Sequence, residues 1–306
     1  MKYQNFWYPR CRLFKNTLEY QRHFEAKDTD LIIASHPKTG TTWLTTLLFA
    51  VVNRGKYPLS ESPILYQHPH HLVHRLEDVH FREAIGNQLI SFSDLNKLLP
   101  PRLFSTHFPY VSLPESIKTS NCRILYICRN PLDTFVSQWH FYSKIAKHLG
   151  GDQHLKPYSF EDYFEDWLEG RIMFGPFFEH VVDYWMKSLE RPEKILFLKY
   201  EDLKYDPIQH LKRVADFVGI PFSPEEESEG VITGIIEMCS INNVKELEVN
   251  KNGVNFTGVE KRAYFRKGEV GDWTNYFTPN MVERMNKLMQ QKLGGTGLTF
   301  KILLES

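Results

Sequence analysis

Short unbroken apolar runs recur along the chain and alternate with stretches of helical period. The runs at Leu31–Ser35, Leu103–His107, Ile124–Cys128 and Ile195–Lys199 have no polar alternation, which suits parallel strands buried on both faces. Between them, Leu132, Phe135, Val136 and Trp139 recur with the i, i+3, i+4, i+7 spacing of a core-facing helix. That helix opens at Asn130-Pro131, an N-cap residue followed by proline at the first helical position. Further helices are predicted over 160–168, 177–189, 208–218 and 279–293, the third of them bracketed by Asp206-Pro207 and Gly219-Ile220-Pro221. Strands alternating with helices predict an α/β fold, a central parallel sheet flanked by helices on both faces. The chain reads as one domain over residues 1–306. The stretch 250–268 has little periodicity and is rich in Asn, Gly, Lys and Arg, so it is expected to form a mobile lid.

Two segments point to phosphate. The first apolar run leads into His36-Pro37-Lys38-Thr39-Gly40-Thr41-Thr42-Trp43, a strand–loop–helix turn that resembles a P-loop. Backbone N–H groups, the helix dipole, the Lys38 charge and the threonine hydroxyls all favour an anion there. The second segment is Arg266-Lys267-Gly268-Glu269-Val270-Gly271-Asp272-Trp273, two adjacent cations beside a glycine that lets backbone approach a phosphate. Arg129, at the end of the third apolar run, stands where α/β sheets bind ligands, and Ser137 follows about two turns into the next helix. The loop is not a Walker A sequence: the lysine precedes the glycine, and there is no leading glycine.

Composition narrows the choice of partner. Lys+Arg and Asp+Glu are equal at 37 each, so no global field draws the chain to nucleic acid or an anionic membrane. The 42% hydrophobic content, with 22 Phe and 15 Tyr, supplies a large core and aromatics for an apolar pocket. The four cysteines form no CxxC pair, no signal peptide or bilayer-length apolar run is evident, and a cytoplasmic location is expected. The histidine-rich patch His68, His70, His71, His74 and His80 has no third ligand at convincing metal spacing, so no metal is expected.

Taken together, these residues resemble the cytosolic sulfotransferases, and the plant branch above all. The resemblance rests on 36–44, on Ser105-Thr106-His107-Phe108-Pro109-Tyr110, on 128–137, on Lys199-Tyr200-Glu201-Asp202 and on 266–273. It implies transfer of a sulfonate group from PAPS (3′-phosphoadenosine 5′-phosphosulfate) to a hydroxyl, leaving PAP. It further implies Lys38 and His107 as catalytic residues, with Lys38 on the leaving oxygen and His107 as general base. Thr39, Gly40, Thr41 and Thr42 would hold the 5′-phosphate, and Trp43 and Tyr200 the adenine. Arg129 and Ser137 would hold the 3′-phosphate, with Arg266, Lys267 and Gly268 closing over it. Histidine has an ordinary pKa suited to a base near neutral pH. Phe141, His71 and His74 are the candidates for contact with a small hydroxylated apolar acceptor. Where many animal members carry a second lysine, Ser105 stands here, and the animal dimer signature is incomplete, so a monomer or weak dimer is expected. A P-loop kinase and a PAP-binding protein with little turnover are the alternative functions.

Overall fold

The computed structural model describes residues 1–8, 12–78, 92–149, 159–254 and 259–301. Five parallel strands form the central sheet: β1 (Leu31–Ala34), β2 (His74–Arg75), β3 (Leu103–Thr106), β4 (Arg123–Cys128) and β5 (Ile195–Lys199), in spatial order β2-β3-β1-β4-β5. Four of these are the continuous apolar runs of the sequence. The fifth, β2, is two residues long, and its His-Arg pair has no strand signature. A short antiparallel hairpin (Lys2–Tyr3 with Phe6–Trp7) lies outside the sheet.

Alternate residues of each strand serve opposite faces. Ile32, Ala34, Phe104, Ile124, Tyr126, Cys128 and Phe197 join one buried cluster; Leu31, Ile33, Leu103, Leu125, Ile127, Leu196 and Leu198 join a second. The first cluster is covered by α1 (Arg12–His23), α3 (Pro131–Leu149), α4 (Phe160–Leu168), α5 (Phe177–Glu190) and α7 (Pro279–Leu293). The second is covered by α2 (Thr41–Asn53), α6 (Pro207–Phe217) and the helix Val231–Met238. Layers on both faces explain why the strands carry no polar alternation. The helix bounds lie within a residue or so of those read from the pattern. Thr278 caps α7 through Met281 N–H, and Asp206 caps α6 through Gln209 N–H.

The 250–268 stretch carries local structure at its described residues. It holds helical turns at Glu248–Lys251 and Lys261–Tyr264 and an isolated bridge between Val254 and Glu260. Residues 255–258 lie outside the described residues. The Asn250 side chain donates to Val244 O at 2.7 Å and ties the start of this stretch to the preceding helix.

A buried ion pair secures the N-terminal edge of β1. Arg102 donates through Nε to Asp30 at 2.7 Å, its Nη2 meets the other carboxylate oxygen at 2.5 Å, and both side chains are fully buried. Asp30 also accepts from Lys27 N–H, while Arg102 O accepts from Leu31 N–H. Removing one member strands a buried charge. Arg102→Ala is therefore expected to lower unfolding free energy by about 3–5 kcal/mol, read as a drop in the denaturant midpoint at unchanged slope. A loss near zero contradicts that role.

Candidate active site

The C-terminal ends of all five strands open into one cavity of about 570 Å³. β1 lies between β3 and β4, so the chain departs from it in both directions; that reversal is where open α/β sheets form their ligand crevice.

One part of the cavity is built for an anion. Beyond β1, Lys38 takes φ +70° and Gly40 φ +113°, turning the chain sharply before α2 begins at Thr41. A Cβ on Gly40 would lie 2.8 Å from the Tyr200 ring, so the loop needs glycine both for its backbone angle and for close packing. No side chain caps α2, which leaves its first N–H groups facing the cavity. Thr41, Thr42, Trp43, Arg129, Ser137, Tyr200, Arg266 and Gly268 line the same region. Arg129 is 5% exposed. It donates to Glu269 O, lies 3.3 Å from Asp133 and packs 4.6 Å over the Tyr200 ring. Among the described residues, the Nε atoms of Arg129 and Arg266 and Nε1 of Trp43 are buried without a hydrogen-bond partner. Buried donors of this kind call for an acceptor. Two bare glycines, uncapped helix N–H groups and unsatisfied guanidinium donors fit a nucleotide phosphate.

Asp133 holds this wall together. Asn130 caps α3 by accepting from Asp133 N–H at 2.8 Å, and the Asp133 carboxylate accepts from Gly271 N–H at 2.8 Å and Trp273 N–H at 3.1 Å. The distant 266–273 segment is thereby fixed against Arg129. Tyr200 adds a second tie, donating from its hydroxyl to Gly268 O at 2.9 Å. Gly268 has φ +69°, and a Cβ there would strike Ile241 at 2.8 Å.

The other part is mainly apolar, walled by Phe141, Tyr142, Ile145, Met173, Phe174 and Tyr264. Lys38 reaches toward it: Nζ is 4.1 Å from the Phe141 ring centre and 5.7 Å from that of Tyr264. Burial first, then the nearby charges of Arg266, Lys144 and Arg129, push its ammonium down to about 7. An anion between these cations would restore the full charge.

His107 follows β3 and is held from three sides. Its Nδ1 donates to Ser35 O at 2.9 Å, which leaves Nε2 as the basic nitrogen. Its N–H donates to the Glu77 carboxylate, which also takes the Thr106 hydroxyl at 3.0 Å. Its carbonyl accepts from His180 Nε2 at 3.1 Å, and His180 Nδ1 in turn meets the Tyr126 hydroxyl at 2.9 Å. Burial, with Arg75 the strongest neighbouring charge, pushes His107 down to about 3. The near-neutral value expected for a general base thus does not hold in the site as it stands, and the imidazole is neutral and able to accept a proton.

Several expected residues lie elsewhere. Thr39 donates its hydroxyl inward to His36 O at 2.8 Å and Ile127 O at 2.9 Å, so only its backbone is left for a phosphate. Lys267 is absent from the cavity wall and donates to Asp272 at 2.6 Å. His71 and His74 are also absent from it, and His70 takes the expected place. Strand alternation is the reason for His74: Arg75 faces the cavity from β2, so His74 points to the other face. Phe141 lines the cavity as expected. His80 is outside the described residues. Among the described residues, no group of three or more His, Cys, Asp or Glu could hold a metal ion, and no helix is long and apolar enough to cross a membrane.

Sequence reasoning missed Asp133, Gln138, Arg75 and Glu77. Asp133 was legible, three residues after the cap Asn130 where a side chain reaches back to the helix start. Gln138 donates to His36 Nδ1 at 2.9 Å and Pro37 O at 2.8 Å and accepts from Tyr163 and Trp167, both at 3.1 Å, so it supports the phosphate loop from behind. Nothing local in the sequence marks that role.

The His107 geometry gives a direct expectation. Nitrogen-detected NMR of labelled protein should find it as the neutral Nδ1–H tautomer from pH 8 down to about pH 5. A titration near the ordinary histidine value of 6.5 contradicts the burial described.

The sulfotransferase domain family matches residues 28–297. The chain is 44% identical over 304 residues to flavonol 3-sulfotransferase of Flaveria bidentis, covering 98% of this chain and 93% of that one. It is 41% identical over 304 residues to cytosolic sulfotransferase 15 of Arabidopsis thaliana, covering 98% and 81%. The crystal structure of mouse sulfotransferase SULT7A1 complexed with PAP superposes with a TM-score of 0.71 at 26% identity, covering 97% of this chain and 96% of that one. With most of its length matched and near-full-length relatives well above 30% identity, the chain belongs to the sulfotransferase family.

Proposed function

We propose that this chain transfers the sulfonate group of PAPS to a hydroxyl of a small, mainly apolar acceptor. The observation that carries the reading is the meeting of two halves in one cavity: a phosphate-binding loop with Lys38, and an apolar chamber with His107. PAP in the mouse relative and flavonol in the name of the Flaveria relative support the two substrate classes. The kinase alternative gives way to the family match.

In this reading, N–H groups at the start of α2 and the hydroxyls of Thr41 and Thr42 hold the 5′-phosphate. Arg129, Ser137 and Arg266 hold the 3′-phosphate, and Trp43 and Tyr200 flank the adenine. His107 Nε2 takes the proton of the acceptor hydroxyl as its oxygen bonds to sulfur. The bond from sulfur to the 5′-phosphate oxygen breaks, and Lys38 stabilises the charge gathering on that oxygen. Positioning and electrostatics supply the catalysis, as in phosphoryl transfer. The anionic co-substrate offsets the cations around His107 and raises its basicity at the moment it is needed.

His107→Ala is expected to slow transfer by about 10²–10⁴-fold with little change in PAP affinity. Arg129→Ala should instead weaken PAP binding by about 2 kcal/mol. Calorimetric titration with PAP and transfer from labelled PAPS separate the two. Equal losses of PAP affinity in both variants contradict this division of roles.

A further inference from the structure

Five lysines and arginines line the cavity: Lys38, Arg75, Arg129, Lys204 and Arg266. The nucleotide reading takes up Lys38, Arg129 and Arg266, and Lys204 lies 5.8 Å over the Trp43 ring; Arg75 remains, beside His107 in the lining. It stands on the edge strand β2, in register with Ser105 on β3, two residues before His107. Residues in register share a face, and so do residues two apart on a strand. Arg75, Ser105 and His107 therefore point into one chamber, and all three line it. Ser105 is small and leaves room beside itself for the guanidinium.

The charge falls on the acceptor side. Arg75 is the strongest charged neighbour acting on both His107 and Tyr142, and it also acts on His70. Lys38 is depressed first by burial and then by Arg266, Lys144 and Arg129. Glu77, two residues along, is the carboxylate lining the same chamber, and its Oε1 already takes the Thr106 hydroxyl and the His107 N–H. A guanidinium presents its donors in a planar fork that matches the two oxygens of a carboxylate.

Resting on the sulfonate-transfer reading, we propose that Arg75 is a specificity-determining residue that binds a carboxylate on the acceptor, so that preferred substrates are small apolar hydroxy acids. The rest of that wall is Phe141, Tyr142, Ile145, Met173 and Phe174, which suits an aromatic or alicyclic body. The acid group docks on Arg75 while the hydroxyl faces His107 Nε2. A carboxylate there also partly neutralises the charge that depresses His107, so the right acceptor improves its own base.

The probes are para-hydroxyphenylacetate and para-hydroxyphenylpropanoate, each beside its methyl ester. Dissociation constants are measured on the purified full chain with and without PAP, and kcat/KM with labelled PAPS. The acids should bind about tenfold or more tighter than their esters and be sulfonated with the same preference. Arg75→Gln should collapse the acid-to-ester ratio in both measurements, and Arg75→Lys should recover part of it. Esters bound as tightly as acids, neither bound, or a ratio unchanged in Arg75→Gln overturns the proposal. A binding ratio that depends on Arg75 without any transfer from PAPS would uphold the carboxylate site while refuting sulfonate transfer, so the two can fail separately.

Discussion

The Asp133 carboxylate is the constraint on which the nucleotide half of this site depends. It is fully buried, and its two oxygens accept from Gly271 N–H, Trp273 N–H and the Asn130 side chain while lying beside Arg129. One carboxylate thus lies against Arg129, closes the cap of α3 and anchors a segment from the far end of the chain. Charge-assisted hydrogen bonds to backbone N–H groups are strong and directional, so the distant loop takes a defined register. Buried groups of this kind are tolerable only when fully partnered. Glu201 continues the arrangement: it accepts from Asn130 N–H at 2.9 Å, and burial pushes it up to about 7.

The acceptor half follows a different logic. Hydrogen bonds fix His107 through its ring, its N–H and its carbonyl, so the protein alone orients the imidazole proposed as the base. His36, His107 and His180 are all buried, and burial drives each below the ordinary histidine range. Their folded pKa values are depressed, so between those values and about 6.5 the unfolded chain binds more protons than the native one. Their contribution to stability is present above that window and is lost as pH falls through it. Glu201, raised above the usual carboxylate value, acts in the opposite sense over part of the same range.

Much of this was legible in the chain. Unbroken apolar runs identified four strands, because a sheet covered on both faces needs no polar positions. Asn130-Pro131 and Asp206-Pro207 marked helix starts through cap chemistry that is local in sequence. The sharp turn after β1 was legible for the same reason: Lys38, Gly40 and Thr41 lie within a few residues of one another. What was not legible depends on register between distant strands. β2 is two residues long, so only its pairing with β3 turns Arg75 inward and His74 away. The exclusion of Lys267 from the cavity likewise depends on Asp272, a competing anion whose choice of partner is settled in three dimensions. His107 was singled out by its Thr-His-Phe-Pro context, but its depressed pKa comes from burial and from charges on other elements.

Thermal unfolding with equal concentrations of PAP and of AMP, which lacks the 3′-phosphate, tests the central claim most directly. A ligand that binds only the folded state at about 100 times its dissociation constant adds ~2.7 kcal/mol to stability. With Arg129, Ser137 and Arg266 holding the 3′-phosphate, PAP should raise the midpoint well above any shift caused by AMP. Equal shifts with the two nucleotides, or none with PAP, would contradict the site described.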